Sequence, residues 1–407
     1  MKKIIALLLC CTLVVACSDS KRYAPKEGRL AVFEAKVPIL AVGEVKTDPA
    51  QKVSSWEMPF YNLQNMQPNL AMDNNDKTWK EKIGHPTDSI RMLPTPIVTE
   101  DAVYVLDGKY ELLKLNRTDG QRIWQNKIAD NKTGLSITHA NNTIYALSTD
   151  GLLTALDEDG NQLWQKDFAV ATRAPLVADK KGVYLITTHN QFIVLNPKDG
   201  KEMWQYRTTQ PQTLLTNMAP VAKSKNVLVV PFATGEVMGF DADSGLLLWI
   251  QMMVGNRPQD LTEVPQIAAA PVIDGDTVYL SGHANFSGAY ALHSGETKWT
   301  VNYGTSLTPV VSGNTIFMLT MQNELVAVDK KTGKAFWLKV YKPKDRPWQS
   351  ISLINDEVVL SDGEYLLYLD PKTGAKIRVE KKDLNALPIV VDGRLITMDE
   401  KTNLTLY

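Results

Sequence analysis

The sequence is nearly without cysteine. Its only thiols are Cys10, Cys11 and Cys17, all at the very start of the chain. Past that point nothing remains for a disulfide, a thiolate metal site or a cysteine nucleophile. Charge of one sign is lacking too: 44 basic residues stand against 45 acidic ones, with no block of either. That balance argues against a nucleic-acid partner and offers no polybasic membrane patch. The five histidines (His85, His139, His189, His283, His293) are scattered, with no pair at metal-ligand spacing. No GxSxG elbow, phosphate-binding glycine loop or HExxH is present. The sequence therefore predicts no catalytic residue, no metal site and no cofactor-binding residue.

The one long apolar run, Ile4 to Val15, follows Lys2 and Lys3 and is too short to span a bilayer. It has the form of a targeting segment. It closes on Val14-Val15-Ala16-Cys17, which resembles the lipobox of bacterial lipoproteins. That resemblance implies a signal peptide over residues 1–16, cleavage before Cys17 and lipid attachment at Cys17. Ser18, in place of an Asp, resembles the signal for the outer rather than the inner membrane. Residues 17–50 are polar, mixed in charge and punctuated by Pro25, Pro38 and Pro49, and read as an extended tether. A short apolar stretch within it, Val37 to Val42, is expected to lie on another surface.

From residue 51 to 407 the chain is a repeat. A Gly followed four residues later by Trp recurs as Gly120/Trp124, Gly160/Trp164, Gly200/Trp204, Gly245/Trp249, Gly295/Trp299 and Gly333/Trp337, and a seventh copy pairs Gly374 with Arg378. The stretch Ile267 to Gly304 shows the unit: APVI, TVYLSG, GAYALH and ETKWTV, broken by Gly, Asp and Asn. Short β-branched and aromatic runs separated by such residues are antiparallel strands. Successive Trp positions lie 38 to 50 residues apart, the range of a four-stranded propeller blade. Gly is read as supplying the turn conformation and Trp as packing between blades. Asp157, Asp241, Asp329 and Asp370 start the same turns and are read as capping backbone N–H groups.

The chain ends supply the last blade. LPIVV, RLITMD and NLTLY at the C-terminus are three strands without a fourth, and KTWKEKIG around Trp79 is a fourth strand without the first three. The predicted fold is all-β: an eight-bladed β-propeller of four-stranded antiparallel blades, closed by N- and C-terminal strands in one composite blade.

Blade bodies are constant in length, 28 or 29 residues from the first-strand Pro to the Trp in the five blades that have both. The connections between blades are not. Trp164 to Pro175 and Trp299 to Pro309 span 11 and 10 residues, whereas Trp204 to Pro220 and Trp249 to Pro271 span 16 and 22. The two long loops are consecutive and so share one face, where insertions on a repeat scaffold usually bind partners. Leu214 and Leu215, apolar residues in an otherwise polar loop, are the candidate anchors, expected to be exposed. Asp260 and Glu263 in the second loop are the candidate charged rim.

The repeat resembles the pyrroloquinoline-quinone-type propeller repeat, which raises a lipid-anchored quinoprotein or a ligand-binding propeller as the alternative. Quinoprotein dehydrogenases resemble one another in a vicinal cysteine pair beside the quinone; the only such pair here, Cys10-Cys11, lies in the signal segment. Lipobox, tether, the Trp56 to Leu70 segment WEMPFYNLQNMQPNL and eight repeats together resemble the outer-membrane protein assembly factor BamB family. The Trp56 segment is similar to the Trp-led, Asn-rich stretch before the propeller in alphaproteobacterial members. The resemblance implies a non-catalytic scaffold, lipid-anchored at the outer membrane and facing the periplasm. It also implies BamA and the rest of the assembly machine as partners, nascent outer-membrane proteins as clients, and no cofactor. In that family the partner-binding residues lie in the same two loops. Here TLLTNMAP keeps Leu214 of the Leu-x-Leu-Arg pattern but has Gln212 and Leu215 at the first Leu and the Arg; Gln266 and Ala268 stand at the Asp-x-Asp pair.

Overall fold

A computed structural model describes residues 40–73, 76–86, 94–212, 214, 218–253, 267–282, 286–344, 346–382, 384 and 387–407. Every regular element among them is a strand, and the strands form eight four-stranded antiparallel sheets. In chain order the blades span residues 97–127, 134–167, 177–207, 222–252, 272–301, 310–340 and 350–381, here blades 1 to 7. Blade 8 is composite: its first three strands are Ile389–Val391, Arg394–Met398 and Asn403–Leu406, and its fourth is Trp79–Lys82. The ring is an eight-bladed β-propeller closed by both ends of the repeat region, as the sequence predicts.

The first strand of each blade lies innermost; first strands of neighbouring blades approach one another, as between blades 1 and 2, 4 and 5, and 6 and 7. Between blades lie the cores. One joins blades 3 and 4 through Tyr184, Phe192, Phe232 and Phe240, and another joins blades 6 and 7 through Phe317, Leu353 and Leu360. Burying both faces of each sheet is what holds a ring of otherwise marginal four-stranded units together.

The Gly-Trp repeat works between blades. Each Trp reaches the third-to-fourth-strand turn of the next blade, and its indole N–H donates to a carbonyl there: Trp124 to Glu158 at 3.1 Å, Trp164 to Pro197 at 2.9 Å, Trp249 to Leu292 at 2.8 Å and Trp337 to Pro371 at 2.9 Å. Trp79 does the same across the closure, to Arg117 of blade 1 at 3.0 Å. The turn glycines have φ between +65° and +85°. A Cβ at Gly120, Gly200, Gly245, Gly295 or Gly333 would also stand 2.6–2.7 Å from the preceding blade's indole. Glycine is thus needed twice over, for conformation and for space.

Arg378, the exception, follows from ring closure. The next blade is the composite one, whose fourth strand is Trp79–Lys82 and does not follow the third through a turn. A Trp at 378 would have no glycine turn to dock on. Arg378 instead folds onto its own blade: the guanidinium lies 3.6 Å from the Tyr368 ring centre and binds both carboxylate oxygens of Glu357, at 2.6 and 2.7 Å.

Candidate functional site

In an antiparallel four-stranded blade, first-to-second and third-to-fourth turns lie on one face. Second-to-third turns and inter-blade loops lie on the other. The two faces of this ring are built differently.

On the first face, residues 46–70 run round the mouth of the channel. The free edges of the innermost strands need partners for their backbone groups, and this segment supplies them. Lys46 and Asp48 bind Asn314 and Ser312 of blade 6, both at 2.8 Å. Val53 O accepts from Asp392 of blade 8, Trp56 exchanges two bonds with Val98 of blade 1, and Glu57 O accepts from His139 of blade 2. Leu63 O and Gln64 O accept from Lys223 of blade 4 and Ile273 of blade 5, and Leu70 bridges Leu353 and Asn355 of blade 7. The segment thus bonds to seven of the eight blades. Trp56 and Leu70 are fully buried in the blade 7–8–1 core, Met58 and Leu63 rest on the blade 3–4 core, and Met66 on the blade 5–6 core. Within the stretch expected as a tether over residues 17–50, Ala41, Glu44, Lys46 and Asp48 are bonded to blade 6. Of the stretch Val37 to Val42, Leu40 pairs with Ala335 while Val42 is exposed.

One side-chain clamp fixes this segment. The buried His139 ring lies between Glu158 (Nε2 to Oε1, 3.0 Å) and Glu57 (Nδ1 to Oε2, 3.5 Å), with the Tyr104 ring stacked on it. Burial lowers the imidazole's affinity for a proton, but Glu57 and then Glu158 outweigh it and raise the pKa above its ordinary value. The adjacent His139 ring in turn lowers the Glu57 pKa against the effect of burial. A cavity of about 280 Å³ beside it is lined by Tyr104, Lys114, Asn142 and the carboxylates of Glu57, Asp101 and Glu158.

The opposite face carries the two long loops. Leu214 is half-buried and packs on the blade 3–4 core with Trp204, Tyr206 and Leu247. The sequence leads one to expect it exposed; its side chain is instead partly covered by that core. Leu215, Asp260 and Glu263 lie outside the described residues, as does Cys17.

Carboxylates that might have served chemistry are engaged locally. Asp157, Asp241, Asp329 and Asp370 each accept backbone N–H groups of their own turns, as Asp370 does from Lys372 at 2.8 Å and Thr373 at 2.9 Å. His85, Asp107 and Glu111 bring potential metal-ligand atoms together. However, Asp107 already accepts from the amides of His85, Lys109 and Glu111 and pairs with the His85 ring. It organises a turn.

These features define a propeller of pyrroloquinoline-quinone-type repeats with one channel mouth lined by its own N-terminal segment. The chain belongs to the outer membrane protein assembly factor BamB family, whose model matches residues 69–141 and 132–339. BamB of Shewanella oneidensis is 24% identical over 337 residues, covering 78% of this chain and 85% of that protein. BamB of Yersinia pestis is 23% identical, covering 79% and 85%. The crystal structure of BamB from Moraxella catarrhalis superposes with a TM-score of 0.67 at 17% identity, covering 81% of this chain and 98% of that one. A quinohemoprotein alcohol dehydrogenase of Comamonas testosteroni superposes at 0.65 and 11% identity, a likeness of fold.

Proposed function

We propose that the protein is a non-catalytic scaffold lipoprotein of the outer-membrane β-barrel assembly machinery. It is anchored through lipid on Cys17 at the outer membrane, faces the periplasm, and binds the periplasmic domains of BamA. The observation that carries this reading is the asymmetry of the two faces. Residues 46–70 run round one channel mouth, bonded to seven blades, which leaves the loop-bearing face to receive a partner. Membership of the BamB family supports the assembly role. Engagement of the turn aspartates and Asp107 by backbone amides supports a binding rather than a catalytic use of the scaffold.

Within the loops, Leu215 is the proposed apolar anchor and Asp260 with Glu263 the charged rim. Leu214 holds the first loop on the blade 3–4 core and presents it. The test is capture of BamA from solubilised native membranes on the full-length lipidated chain. Leu215→Glu should abolish capture with an unchanged melting temperature. Asp260→Lys with Glu263→Lys should weaken it in a salt-dependent way, as rim charges do. Full capture by all these variants, folded, would place the partner elsewhere.

A further inference from the structure

The buried His139 ring spends only one of its two nitrogens on a hydrogen bond. Nε2 lies 3.0 Å from Oε1 of Glu158; an ionised carboxylate only accepts, so this nitrogen carries the ring's proton. In that tautomer the lone pair sits on Nδ1, which makes no hydrogen bond although the side chain is only 9% exposed. Glu57 Oε2 stands 3.5 Å from Nδ1, beyond the length of a good hydrogen bond. Two electron-pair donors thus face each other across a short gap.

The gap has the width that separates two ligands of one metal ion. Tetrahedral zinc with bonds of about 2.1 Å sets its ligands about 3.4 Å apart. The surroundings of the ring fit the same use. A metal-binding histidine donates its other ring N–H to a carboxylate, which fixes the tautomer and the ring orientation; Glu158 is so placed. Tyr104 stacks on the ring with 10° between the planes. The His139 amide donates to Glu57 O at 2.8 Å, so the main chain holds the two ligands side by side. Both residues line the cavity of about 280 Å³, whose wall adds the carboxylates of Glu100 and Asp101. The cavity has room for water at the remaining coordination positions. His85 offers no such gap: its Nδ1 is 2.9 Å from Asp107 Oδ2, a full hydrogen bond, and Asp107 is taken up by backbone amides.

We propose that His139 Nδ1 and Glu57 Oε2 bind a divalent first-row cation of the zinc class, which ties the N-terminal segment to blade 2. Imidazole with carboxylate suits zinc and its first-row neighbours, whereas calcium and magnesium take oxygen ligands. One ligand belongs to the segment that runs round the channel mouth and the other to the first strand of blade 2, Gly134–Ala140. The ion is therefore a cross-link, and it stabilises the docked segment by mass action. It acts on the face opposite the long loops and does not depend on what those loops bind.

The probe is Zn²⁺, added to the full chain after treatment with a chelator and followed by titration calorimetry at neutral pH. One ion should bind per chain. Glu57→Gln and His139→Ala should each weaken binding about tenfold or more, and Glu158→Ala should do so through the orientation of the ring. His85→Ala should leave binding unchanged. Metal-free melting temperatures identify the folded variants, and Glu57→Gln, which keeps the size of the side chain, carries the test if His139→Ala unfolds. Limited proteolysis is the second readout: Zn²⁺ should slow nicking around residue 57 in the wild type but not in Glu57→Gln. Full zinc affinity in folded Glu57→Gln would overturn the inference, as would zinc that leaves nicking of the wild type unchanged. Ca²⁺ bound as tightly as Zn²⁺ would also overturn it, because the imidazole would then not be a ligand. Loss of binding in His85→Ala alone would assign the ion to that turn and refute the site at His139.

Discussion

Replacing Gly333 by Ala tests the inter-blade lock against a matched control. Gly333 has φ +72°, and a Cβ there would stand 2.7 Å from Cε3 and 2.8 Å from Cδ2 of Trp299 in the preceding blade. Three costs add. A non-glycine residue in the left-handed region costs about 1–2 kcal/mol. Forcing the indole outward is overpacking, about 1–3 kcal/mol. The Trp299 N–H bond to Lys330 O, now 3.0 Å, stretches with it and forfeits about 1 kcal/mol. The sum is about 3–6 kcal/mol. Gly275 is the control: its φ is +58°, but a Cβ there meets nothing within 4 Å. Gly275→Ala therefore isolates the backbone term, about 1–2 kcal/mol. Equilibrium unfolding in guanidinium, followed by tryptophan fluorescence, should show the first variant losing about 2–4 kcal/mol more than the second. Equal losses would mean that glycine is required in these turns for conformation only, and that the Trp-Gly contact contributes nothing.

Arg378→Trp should destabilise the ring rather than restore the repeat, by about 1–3 kcal/mol; it strands Glu357 and gives the indole no turn to dock on. An unchanged or raised unfolding midpoint would refute the closure argument. Cys17→Ser should leave the precursor unprocessed or the protein mislocalised in fractionated cells; normal lipid-phase partitioning of that variant would exclude the anchor. The His139 clamp predicts a pH window for the N-terminal segment. The His139 pKa is raised, so its contribution is complete below about 6.5, its ordinary value, and fades as pH rises through the folded value. The Glu57 pKa is lowered, so its contribution is present above its ordinary value and fades as pH falls through the folded one. Proteolytic nicking within residues 51–64 should be slowest at about pH 5–6, and His139→Ala should flatten that profile; an unaltered profile would show that the clamp does not hold the segment.

The ring itself is legible in the sequence because its defining signals are local. Each Gly with its Trp, and each turn Asp, repeats within a few residues of a hairpin, so seven copies report the same geometry. The composite blade is legible from strands left over at both ends. What escapes is set by contacts across the ring. Residues 46–70 bind inner strands mostly through main-chain atoms, so the Trp56 to Leu70 stretch is visible in the sequence but its path round the ring is not. His139 and Glu57 are 82 positions apart, and Glu57 precedes the blades. Lys223, buried between Asp179 (2.6 Å) and the Tyr184 hydroxyl (2.5 Å), sits in an unremarkable first strand. Leu214 reads as exposed from its polar neighbours, yet the core that partly covers it is made by residues of blades 3 and 4. Arg378 shows the converse: the exception is visible in the sequence, and its reason only in the ring.

Closure and the N-terminal segment act on the same weakness. A propeller opens by parting two blades, and its natural seam is the composite blade, where Trp79–Lys82 is held to Asn403–Leu406 by one strand pairing. That seam lacks the Trp-Gly dock on one side, between blades 7 and 8, because no third-to-fourth turn exists there. The compensation comes from the segment that enters the ring just before Trp79. Leu70 bridges Leu353 and Asn355 of blade 7, Asp73 accepts Lys52 and binds the amide carbonyl of Gly393 in blade 8, and Val53 caps Asp392. Trp56 and Leu70 fill the core that blades 7, 8 and 1 share. Parting blades 7 and 8 therefore requires stripping the segment from the channel mouth as well as breaking the sheet contact. A chain beginning at residue 76 would keep every blade strand yet lose this brace, and its unfolding should start at that seam.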